Sequence, residues 1–130
     1  MSIYKIKSFD KCIKKLPVTD TALHEAATEV MNGLFDADLG GGVIKKRVPL
    51  GAGKSSGMRT VVFFKTGKHL FFADGWPKVE RAKRQKEITA EELTAYRALA
   101  DVFLAATDKQ IETMLTNGII TEVKNGSEHE

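Results

Sequence analysis

The chain has 130 residues, 42% hydrophobic and 28% charged, a balance that suits a single globular domain, here taken as residues 1–130. One cysteine, Cys12, excludes an internal disulfide and a cysteine-built metal site. Net charge is only +3, yet Val43 to Lys86 holds twelve Lys or Arg against two acids (+10), while the remainder holds 8 basic and 15 acidic residues (−7).

In chain order, Ile3–Phe9 alternates and reads as a strand. The opening segment has no long apolar run, so neither a signal peptide nor a membrane anchor is expected. Phe9–Leu16 reads as a short helix stopped before Pro17. Thr19–Leu34 carries Leu23, Ala26, Ala27, Val30, Met31 and Leu34 at spacings of three and four, an amphipathic helix that Thr19 or Asp20 can cap. "DLGGG" breaks the chain. Val43–Val48, Met58–Lys65 and "HLFFADGW" then read as a three-stranded meander. Thr89 with Glu92 makes a capping box for a helix to about Ala106. Thr107 with Gln110 repeats the pattern before a shorter helix that Gly118 ends. "IITEV" reads as an edge strand, and the tail, about 125–130, is expected to fray. The order predicts an α+β domain: a small antiparallel sheet with an N-terminal helical hairpin and C-terminal helices.

"GAGKSSG", Gly51 to Gly57, looks like the end of a P-loop. The leading glycine of that motif belongs at position 48, which is Val48. A strand pattern, "MRTVVFF", follows where a P-loop requires a helix. The segment is better read as a connection between two strands with Lys54 at its tip.

The basic centre points to a polyanionic partner, nucleic acid first, against the plainer alternative of a solvated charged face. Alternation on the second strand puts Lys45 and Arg47 on one face and Lys46 on the other with Ile44 and Val48. Arg59 leads an apolar strand, where it is either a phosphate ligand or a structural ion-pair partner. Trp76 either stacks on a base or closes the core edge. Tyr96 falls on the apolar face of its helix and reads as core. His24, His69 and His129 lie far apart and read as structural or surface residues. No metal or other cofactor is expected.

"DADLGGGVIKKRVPLGAGKSSGMRTVVFFKTGKHLFFADGWPKVER" resembles the centre of a RelE-type toxin. Its "GGG…KKR…GKSSGMRT" series is similar to a HigB-like subgroup carried by phages and mobile elements. The resemblance runs from Ile3 to the "TEV" near the end. It implies the toxin of a type II toxin–antitoxin pair in the cytoplasm, an endoribonuclease that cuts mRNA, on or off the ribosome, and so inhibits translation. It implies a metal-independent reaction in which the RNA 2′-hydroxyl attacks its own phosphodiester, and an antitoxin encoded by an adjacent gene. It matches Lys45, Arg47, Arg59 and Arg81 to catalytic cations, with Lys46, Lys54, Trp76, Lys78 and Arg84 as RNA-binding candidates. Held cations suit this reaction, because negative charge builds on the phosphate oxygens at the transition state. The resemblance extends to superfamily members directed at DNA gyrase, and a non-catalytic RNA- or protein-binding module is the third reading. Some relatives place a proton-transferring tyrosine or histidine near the C-terminus. Here helices stand in that place and the general base is open, Lys45 being the nearest candidate.

Overall fold

A computed structural model of the chain describes residues 2–50, 57–67, 69–77 and 88–124. The elements in order are β1 (Ser2–Ile6), α1 (Lys7–Ile13), α2 (Asp20–Met31), β2 (Ala37–Asp38), β3 (Val43–Val48), β4 (Met58–Phe63), β5 (His69–Pro77), α3 (Ala90–Leu104), α4 (Asp108–Thr116) and β6 (Ile120–Glu122). The six strands form one sheet in the order β2-β3-β4-β5-β1-β6. The meander β3-β4-β5 is antiparallel throughout. One pairing departs from the all-antiparallel expectation: β1 runs parallel to β5, with Ile3 opposite Leu70 and Lys5 opposite Phe72. A pairing as distant in sequence as Ile3 with Leu70 leaves no trace in local alternation, so the sequence pattern is silent on it. The resulting α+β sheet is mostly antiparallel.

Helices cover both faces. On one face Phe9 of α1 and Leu23 and Val30 of α2 pack on Ile3, Ile44, Val48, Met58, Val62, Leu70 and Phe72 of the sheet. On the other face Phe103 of α3 and Ile111 of α4 pack on Tyr4, Val43, Val61, Phe63, Phe71 and Ile120 of the sheet. Because both faces are buried, β4 and β5 read as nearly continuous apolar runs and not as alternating ones. Lys46 sits on the α1–α2 face as alternation predicts. It is 9% exposed, and its Nζ lies 2.7 Å from Glu29 Oε1 and donates to the Leu34 carbonyl at 3.0 Å. The RNA contact expected of Lys46 is therefore not what its geometry serves. The ammonium fastens α2 to the sheet from the face opposite Lys45 and Arg47.

The helix starts follow from their caps. Thr19 accepts from the Ala22 amide at 3.1 Å. The two capping boxes, Thr89 with Glu92 and Thr107 with Gln110, are both complete. Gly118 takes φ +74° just beyond α4.

"GGG" does more than break the chain. Gly40, Gly41 and Gly42 all have positive φ, at 88°, 66° and 85°. A Cβ on Gly41 would lie 2.9 Å from Arg97 Cγ, and one on Gly42 would lie 2.6 Å from Leu104 Cδ1. Arg97 also donates to the Leu39 carbonyl. Three bare backbone positions thus let α3 seat directly on the turn between β2 and β3.

Candidate active face

The α3 side of the sheet gathers the strand cations. Register places Lys45 opposite Val61, and Val61 opposite Asp74, in one row across β3-β4-β5. The next row is Arg47, Arg59 and Trp76. Lys45 and Arg59 are half-buried, while the Arg47 side chain is 57% exposed and its Nε lies 3.7 Å from Asp36 Oδ2. Two arginines directly opposite on one face repel each other, so this pair lowers stability unless an anion lies between or beside them. Arg59 Nε is buried, and among the described residues it has no hydrogen-bond partner. A buried guanidinium donor without an acceptor is costly, and a phosphate oxygen is a ligand that removes the cost.

Trp76 flanks Arg59 and leans on the α3-side core, so its ring serves the core edge while standing beside the cations. Lys54, Lys78, Arg81 and Arg84 lie outside the described residues. The connection holding Lys54 joins two antiparallel strands, β3 and β4, and no helix opens after it, so the P-loop reading ends there. His24 lies on α2, and His69 opens β5 with its ring against Tyr4 and Phe71.

Two residues on this face escape sequence reasoning. Tyr96 reads as core, and its ring does pack there, but its hydroxyl donates to Asp74 Oδ2 at 2.6 Å. Asp74 Oδ1 accepts from the Gly75 amide at 2.8 Å and from Cys12 Sγ at 3.5 Å. Helical spacing reports which face a tyrosine ring takes, and says nothing about where the hydroxyl at its tip ends. Asp74 owes its position to a β-bulge: Val61 pairs with Asp74 but Val62 pairs with Phe72, so Ala73 is the extra residue. Simple alternation would have sent Asp74 to the opposite face with Phe72.

A profile of the family described as "RelE toxin of RelE / RelB toxin-antitoxin system" matches residues 1–123. The chain belongs to the RelE toxin family. Searches of curated proteins and of solved structures found no match. RelE membership makes the chain the toxin of a toxin–antitoxin pair and implies a cognate antitoxin as its partner. On this face Lys45, Arg47 and Arg59 stand on the adjacent strands β3 and β4. Among the described residues, no helix of this RelE chain is long and apolar enough to cross a membrane.

Proposed function

We propose that the chain is an endoribonuclease that cuts mRNA in the cytoplasm and stops translation, with the RNA 2′-hydroxyl as nucleophile. The observation that carries this reading is the opposed pair Arg47 and Arg59 beside Lys45, with Arg59 Nε buried and lacking an acceptor among the described residues. Such a face fits a phosphodiester whose oxygens gain charge at the transition state. Guanidinium groups held by a sheet meet that charge with little reorganisation. Lys45 and the two arginines bind the scissile phosphate, and Arg81 completes the set from the segment after β5. Lys54, Lys78 and Arg84 follow the RNA backbone, and Trp76 stacks on a base beside the cut. The antitoxin, encoded by an adjacent gene, silences the toxin by laying acidic or helical segments over the cationic face.

Brief induction followed by mapping of transcript 5′ ends tests the reading. New 5′ ends within coding regions, growth arrest and rescue by the adjacent gene are expected. Arrest without new ends, accompanied by trapped gyrase–DNA complexes, would replace it with the gyrase-directed reading. RNA binding without cleavage would replace it with the non-catalytic one.

A further inference from the structure

The three strand cations explain charge stabilisation and leave the proton of the attacking hydroxyl unassigned. Resting on the endoribonuclease reading, we infer that Tyr96 and Asp74 form the proton relay of the site, with the Tyr96 oxygen touching the nucleophile and Asp74 receiving the proton through it.

Three observations converge. First, Asp74 is a carboxylate in the same cross-strand row as Lys45, next to the row of Arg47 and Arg59. On a phosphate-binding face a carboxylate weakens binding, so its presence there calls for a task. Second, the bulge at Ala73 is what brings it into register with Val61. Bulges recur beside active sites because they re-aim a side chain. Third, the carboxylate is held from two sides. Oδ1 is fixed by the Gly75 amide and by Cys12 of α1, and Oδ2 is left to take the Tyr96 hydroxyl at 2.6 Å. That length belongs to charge-assisted O–H···O bonds. Tyr96 is itself placed by α3, which the glycine seat holds through Arg97 and Leu104. Tyr96 is only half-buried.

The hydrogen bond dictates the form of the chemistry. A phenol donating to a carboxylate does not ionise beside it, since two negative charges would then share one contact. Tyr96 therefore works neutral, as a conduit. The 2′-hydroxyl gives its proton to the Tyr96 oxygen while the phenol gives its own to Asp74 Oδ2. The 2′-oxygen forms its bond to phosphorus. The bond from phosphorus to the 5′-oxygen breaks, its electron pair stays on that oxygen, and a water protonates it. The products are a 2′,3′-cyclic phosphate and a 5′-hydroxyl. Asp74 then returns its proton through Tyr96 to the hydroxide left by that water, and the site is restored.

The test uses the full chain and an RNA that the wild type cuts, comparing Asp74→Asn, Tyr96→Phe and the double variant. Asparagine still accepts the Tyr96 hydroxyl bond but cannot take its proton. Both single variants are expected to melt near the wild type and to bind RNA at least as tightly, Asp74→Asn the more so for losing a negative charge. Both should cleave about a hundredfold or more slowly, the usual size of a lost acid–base group. The double variant should be no slower than either single one, as for residues acting as a unit. In H₂O–D₂O mixtures the wild-type rate should curve as two moving protons require. Full activity of Asp74→Asn would overturn the relay, reduce the bond to a structural one, and leave the nuclease reading standing with Lys45 as candidate base. Independent, multiplying losses would also overturn it. Should Asp74→Asn fail to fold, Tyr96→Phe decides: full activity in that variant sinks the relay. A wild type that cuts no RNA, free or ribosome-bound, would remove both readings together.

Discussion

Lys45 and Lys46 are neighbours in sequence with opposite duties, and the same substitution separates them. Lys46→Met keeps an apolar stem beneath α2 but removes the ammonium's bonds to Glu29 and to the Leu34 carbonyl, so a stability loss of about 1–3 kcal/mol is expected. Cleavage should persist. Lys45→Met, on the other face, should cripple cleavage and leave the thermal melt in place. Arg59→Ala goes further. Its backbone is fixed by β4 beside Arg47, so loss of the guanidinium should raise the barrier by about 2–4 kcal/mol, a hundredfold or more in rate. Lys65→Ala, exposed beyond the far end of β4, is the matched control and should do little. Rates measured alongside melting curves decide: an unfolded Arg59→Ala makes Arg59 a structural residue, and a folded, fully active one shifts the catalytic assignment toward Lys78, Arg81 and Arg84. At this scale alternation alone separated Lys45 and Arg47 from Lys46. It had no means of finding Asp74, because a bulge is an exception to alternation, nor the Tyr96 hydroxyl, whose partner lies 22 residues away on another element.

At the scale of elements, α3 depends on the turn that receives it. Gly42→Val places a β-branched side chain at φ +85° and drives its Cβ toward Leu104. Left-handed strain alone costs about 1–2 kcal/mol, so a loss of about 2 kcal/mol or more is expected, read as a fall of several degrees in melting temperature. Since α3 carries Tyr96, cleavage should fall beyond what the melt explains at assay temperature. A stable, fully active Gly42→Val would show that the helix has no need of that seat. Much of this level was legible beforehand. Val43–Val48 was readable to the residue as a strand, and both capping boxes from Thr-x-x-Glu and Thr-x-x-Gln. The two-residue β2 was not, being too short to carry a period, and "GGG" announced a break without naming the helix it admits.

For the whole molecule, the uneven charge sets how RNA is met. Each phosphate held by a cation releases condensed counterions, with a slope of about −0.7 per contact on single strands. Contacts from Lys45, Arg47 and Arg59 alone then require a slope of about −2 in log affinity against log salt. Titration of RNA binding from low to physiological salt measures it, and a flat response would argue against a phosphate-binding face.

The place of β1 has a temporal meaning. Its residues pair on one side with Phe71 and Phe72 of β5 and on the other with Ile120 to Glu122. The backbone amide of Lys124, near the end of the described chain, donates to Asp20, which also meets Lys5. β1 is thus synthesised well before either of the two strands it lies between. Contacts so distant in sequence form only after the intervening chain exists. A nascent copy therefore holds its cations on an unfinished sheet until β6 has been made and can close beside β1.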